Sequence, residues 1–218
     1  LNEFAVMYRS LVTPQILANY DVVILGEMSL PLSTDNVTMF TNWVTSGGNL
    51  IAMRPDKQLA GLLGLTESVG VLPPTGQLNA YLLVNSSVEP GKGIVNETIQ
   101  YHGLADLYTL NTGTTAVATL YSTAITATSN PAVTIRSVGS NGGQAAAFTY
   151  DLARSVVYTR QGNPAWAGQN RDHQSGDEDE GDGDEEKNDP GAKETARTPA
   201  GVLAPVGDAD AEQCGRKK

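Results

Sequence analysis

An open α/β sheet, mostly parallel and with helices on both faces, is the fold class the sequence predicts, and three observations within residues 19–56 predict it. Asp21 leads into Val22-Val23-Ile24-Leu25, a short apolar run ending at Gly26, which is the pattern of a central strand buried on both faces. Ser33, Thr34 and Asp35 then offer helix N-caps, after which Val37, Phe40 and Val44 recur at i, i+3 and i+7 beside the pair Met39 and Trp43. Gly47-Gly48 ends that helix, and Asn49-Leu50-Ile51-Ala52-Met53 is a second apolar run that Arg54-Pro55 stops. A strand–helix–strand unit of this length places its helix on one face of a parallel sheet.

The other elements follow in chain order. Phe4-Ala5-Val6-Met7-Tyr8 reads as a short strand, and Thr13-Pro14-Gln15-Ile16-Leu17 as an N-cap, a proline at the first helical position and a short helix. A doubly wound domain opens with a strand and a full helix before this point, so the first such unit is expected to be missing. Gln58 to Leu65 predicts a short helix ending at Gly64, and Val69 to Asn79, with Pro73-Pro74, a loop. Tyr81–Val84, Thr98–Tyr101 and Ala116–Tyr121 read as strands of an antiparallel extension. Ala132–Val138 and Gln144–Thr149, joined through Asn141-Gly142, read as a hairpin, and Asp151–Tyr158 as a closing helix or an irregular segment.

Charge divides the chain near residue 172. Residues 173–218 carry 13 acidic and 6 basic side chains, a net of −7, and lack Phe, Trp and Tyr. Without apolar side chains to offset chain entropy, this tail is expected to be disordered. The expected organisation is an incomplete α/β domain over 1–160, a loop over 161–172 and the acidic tail. The body's basic residues are scattered, which argues against a nucleic-acid surface. No stretch is long and apolar enough to predict a membrane span. Cys214, the only cysteine, lies in the tail, and the only histidines are His102 and His173, so no metal site, thiol nucleophile or cofactor motif is read from the sequence.

Ligands of open α/β sheets sit outside the carboxyl ends of the strands, so residues just past each predicted strand are the candidates. They are Glu27, Arg54, Asp56, His102, Asp106 and Asp151, which combine acid/base side chains with a guanidinium able to hold a carboxylate or phosphate. The local alternatives are an Arg54–Asp56 pair, an Asp56 cap on the following helix and an Asp151 N-cap. Trp166, among Arg160, Gln161 and Asn163, could stack a sugar ring or pin a loop.

The YDVVILGE strand, the helix ending FTNWVTSGGNL and the IAMRPD turn together resemble the class I glutamine amidotransferase-like superfamily, in particular its ThuA-like branch and the trimerisation domains of β-galactosidases. The resemblance implies a flavodoxin-like sheet. In catalytic members a Cys occupies the sharp turn after a central strand. The corresponding turn here, Ala52-Met53-Arg54-Pro55, holds neither Cys nor Ser, so the resemblance implies a catalytically silent domain. The expected role is binding or assembly within a larger, carbohydrate-related and extracytoplasmic parent, with a carbohydrate or small polar ligand or the parent's other domains as partners. Two alternatives stand beside it: a hydrolase using the strand-end carboxylates and His102, and a truncated, nonfunctional product.

Overall fold

A computed structural model of the chain describes residues 5–74 and 80–162. In chain order these form α1 (Pro14–Leu17), β1 (Val22–Leu25), α2 (Thr34–Thr45), β2 (Asn49–Met53), β3 (Leu65–Leu72), β4 (Ala80–Val84), β5 (Ile99–Tyr101), β6 (Ala105–Leu110), β7 (Thr114–Tyr121), β8 (Ala127–Val138), β9 (Gly143–Phe148) and α3 (Leu152–Gln161). Seven strands make one sheet in the order β1-β2-β9-β8-β7-β4-β5, and β3 and β6 make a separate antiparallel ribbon.

Local chemistry fixes the strand–helix–strand unit much as expected. The Ser33 hydroxyl accepts from the Asn36 amide at 3.2 Å and starts α2, with Asp35 in its first turn complementing the helix dipole. Phe40 and Val44 carry its buried face into a core with Leu17, Leu50, Ala52, Leu59, Leu63, Ala145 and Ala147. Gly47, at φ 118°, ends the helix. β2 then runs parallel to β1, with Ile24 opposite Ile51 and Leu25 opposite Ala52.

The sheet is not an open, mostly parallel, flavodoxin-like one with helices on both faces. Only β1, β2 and β9 are paired in parallel, whereas β8, β7, β4 and β5 are joined antiparallel into a curled, mixed sheet. The physical reason lies in the connections. β8 and β9 are linked by a turn at Gly139–Gly142, far too short for a helical crossover, so they must run antiparallel. β9 nevertheless inserts beside β2 with Ile51 opposite Ala146, so the expected extension is the body of the sheet. β1 is correspondingly an edge strand and not a central one: Val22 and Ile24 are 50% and 59% exposed, while Val23 and Leu25 pack on the core with α2.

Smaller differences have similar causes. Residues 5–8 form no strand, and the stretch expected to be helical after Pro55 is a single 3-10 turn at Lys57–Leu59 followed by turns. β3 occupies part of the expected 69–79 loop, because its partner β6 lies 33 residues further on and supplies pairing that no local pattern announces. A second core, built of Leu72, Leu82, Tyr101, Ala105, Ala118, Leu120, Ala132 and Tyr150, lies between this ribbon and the antiparallel strands. Residues 173–218, expected to be disordered, lie outside the described residues. No described helix is long and apolar enough to cross a membrane.

Candidate functional site

The alternation of pairing directions makes β1, β2, β9, β7 and β5 run the same way, so their carboxyl ends share one margin of the sheet. Glu27 follows β1, Arg54 follows β2, His102 follows β5, and Asp151 follows β9. Asp106 joins them because β6 begins against the end of β9: Ala105 bridges to Tyr150, and the Asp106 amide donates to the Thr149 carbonyl at 2.9 Å. The sheet's curl lets α3 reach both of its edges. Arg154 extends to Glu27, and Ser155, buried on the next residue of the helix, accepts the His102 backbone N–H at 3.0 Å.

Arg54 is the centre of this arrangement. It has a φ of 40°, the left-handed region where a side-chain-bearing residue is strained, and it is the only described non-glycine residue with positive φ. The turn is imposed by its amide, which donates to the carbonyls of Phe148 at 2.8 Å and Tyr150 at 3.2 Å. That turn aims the guanidinium along the sheet margin. Its Nη1 lies 2.7 Å from Glu27 Oε1, and its Nη2 lies 3.2 Å from Asp106 Oδ1.

Glu27 is shared, since its other oxygen lies 2.7 Å from Arg154 Nη1, and Arg154 Nε stands 3.8 Å from Asp151 Oδ2. Burial works against the Arg54 charge. Asp106 and Glu27 outweigh it through hydrogen bonds and attraction, holding the guanidinium above its ordinary pKa. Three carboxylates and two guanidiniums leave a net charge of −1, so each cation is already matched. Among the described residues no His, Cys, Asp or Glu cluster is arranged to hold a metal ion.

The remaining expected residues have other local partners or lie elsewhere. Asp56 spends both oxygens on backbone, Oδ1 accepting from Gln58 N at 2.9 Å and Oδ2 from Leu32 N at 2.5 Å, so it caps the 3-10 turn and pins the segment before α2. Asp151 does cap α3, taking the Arg154 amide at 3.0 Å, while its carboxylate also borders the cluster. Trp166 lies outside the described residues. One cluster member and one buried neighbour escaped the sequence reading. Arg154 could have been found from the Asp151 cap, which puts residue 154 in the first turn of a helix starting at the strand ends. Tyr108 could not: it is fully buried with its hydroxyl unpartnered among the described residues, and burial pushes its pKa up to about 12.

His102 yields a pH prediction. Burial pushes its imidazole below the ordinary pKa of 6.5. The unfolded chain therefore binds a proton that the folded chain resists, and the resulting loss of stability begins as pH falls below about 6.5 and is absent above it. His102→Gln should lose less stability than the parent chain between pH 7.5 and 5, read from urea midpoints. Equal losses would remove His102 from the account.

No protein-family model matches the chain, and no curated protein matches it. Among solved structures, the class of likeness is one of fold. The mmIFT52 N-terminal domain is similar with a TM-score of 0.52 at 14% identity, over 69% of this chain and 74% of that one. The exo-β-1,4-mannosidase Op5Man5 from Opitutaceae bacterium strain TAV5 gives a TM-score of 0.46 at 14% identity, over 66% of this chain. Cytoplasmic protein STM3548 from Salmonella typhimurium gives the same score and identity over 64% of it. The chain spans 23% of the mannosidase's length and 63% of the Salmonella protein's.

Proposed function

We propose that this chain is a non-catalytic domain, a silent relative of the glutamine amidotransferase-like proteins, whose strand-end margin serves binding or assembly within a larger parent. One observation supports it above the others: the corner where the resemblance would seat a nucleophile holds Arg54, and that arginine is committed to Glu27 and Asp106. A working acid/base pair needs one group free to take a proton and another free to give it, within reach of a common substrate atom. Here Glu27 is clamped between two arginines, Asp106 is bonded to Arg54 and Asp151 caps a helix. What the margin offers is a nearly charge-balanced polar surface suited to a small polar ligand, carbohydrate included, or to a neighbouring domain.

The test is a panel of chromogenic esters and glycosides together with glutamine deamidation, run on the full chain and on Glu27→Gln. No turnover above blank is expected from either protein. Turnover by the parent chain that Glu27→Gln abolishes would overturn the reading in favour of a carboxylate-dependent hydrolase.

A further inference from the structure

Residues of α3 hold the far side of the strand-end cluster, yet the helix is anchored unlike α2. Where α2 buries Phe40 and Val44 in the first core, the one fully buried residue of α3 is the polar Ser155. Leu152 packs on the second core at the start of the helix, but Val156 and Val157 are each 47% exposed. Its polar attachments to the sheet are Arg154 to Glu27 and the bond from His102 N–H to Ser155. Elements with few buried apolar contacts open locally at much lower free energy than the core around them.

We propose that α3 is a displaceable latch on the strand-end charge cluster, held shut by the Arg154–Glu27 ion pair. Lifting α3 frees the second oxygen of Glu27, so the latch controls access to that carboxylate on the binding margin; it rests on the non-catalytic binding reading above. Because the Arg154 side chain is partly solvent-exposed, the pair is open to screening: raising salt from about 0.05 M to about 1 M shortens the Debye length from roughly 14 Å to about 3 Å.

Hydrogen exchange followed by mass spectrometry on the full chain tests this. The parent, Arg154→Met and, as a matched control beyond the ion pair, Arg160→Met would be compared at low and high salt. The α3 amides should exchange well ahead of those in β2 and β9. In the parent, high salt should speed α3 exchange several-fold. Arg154→Met should speed it about fivefold at low salt and abolish the salt effect, in line with a partly exposed ion pair. Arg160→Met should leave α3 as in the parent. Exchange of α3 only in step with β2 and β9, an Arg154→Met rate equal to the parent's, or an equal effect of Arg160→Met would overturn the latch. Such a failure leaves the non-catalytic reading standing, whereas Glu27-dependent turnover sinks that reading whatever the helix does.

Discussion

Arg54→Met should lower stability by about 2–4 kcal/mol, measured by urea unfolding near neutral pH, although methionine keeps much of the side chain's length and apolar stem. The expectation follows from what is left behind. Removing one member of a largely buried ion pair strands the other, and the penalty of an uncompensated charge exceeds the net value of the intact pair. Glu27 keeps Arg154, but Asp106 loses its guanidinium partner. Asp106→Asn in the Arg54→Met background should therefore recover a substantial part of the loss, because it removes the stranded charge and leaves an amide able to find other bonds.

Backbone strain can be separated from charge at the same position. Arg54→Ala loses the side chain but keeps a Cβ at φ 40°, whereas Arg54→Gly loses the side chain and accepts that φ freely, so the glycine variant should be the more stable of the two by about 1 kcal/mol. A loss below about 0.5 kcal/mol in Arg54→Met would mean that the strand-end charges neither hold the margin together nor depend on Arg54.

The parts of the fold legible in the sequence are those whose causes are local. Ser33 and Gly47 bracket α2, the apolar runs on either side become β1 and β2, and the Asn141-Gly142 turn joins β8 to β9. Each needs only neighbours within a few residues. The position of β1 was not legible, because a run such as Val22-Val23-Ile24-Leu25 looks the same at a sheet centre and at an edge, and only the arrival of β9 on the other side of β2 decides which it is. β3 and β6 were hidden for the same reason, being paired across 32 intervening residues.

The candidate site fared in parallel with the fold. Looking past the strand ends gathered Glu27, Arg54 and Asp151, since chain direction within a sheet survives a wrong assignment of strand order, and Asp106 came with them only because β6 starts against the end of β9. It also admitted Asp56, whose carboxylate turns to the amides of Leu32 and Gln58. It passed over Arg154, which the local Asp151 cap places in the first turn of α3 but whose reach to Glu27 depends on the curl of the sheet.

Gly143→Ala should be among the most disruptive glycine substitutions in the described residues, with a loss of about 3 kcal/mol or more and weakened docking of α2. An ideal Cβ at this first residue of β9 would stand 1.9 Å from the Val44 carbonyl oxygen and 3.0 Å from its carbon, at the end of α2. Both obstacles are backbone, so no rotamer change relieves them and the helix end must move away from the sheet. That lies at or beyond the upper end of the usual overpacking range, where side chains absorb part of the clash. Two neighbouring substitutions calibrate it. Gly26→Ala meets nothing within 4 Å at an ordinary φ and should change stability by no more than about 1 kcal/mol, toward stabilisation if anything. Gly142→Ala also meets open space but sits at φ 83°, so it should cost about 1–2 kcal/mol from backbone strain alone.

The ordering Gly143 above Gly142 above Gly26 thus separates collision from conformation, and a Gly143→Ala variant within 1 kcal/mol of the parent would show that α2 and β9 do not approach this closely. Because α2 also connects β1 to β2, displacing its end should loosen the Glu27–Arg54 pair as well. Combining Gly143→Ala with Arg54→Met should then cost less than the two losses added together, a coupling between core and margin that independent sites would not show.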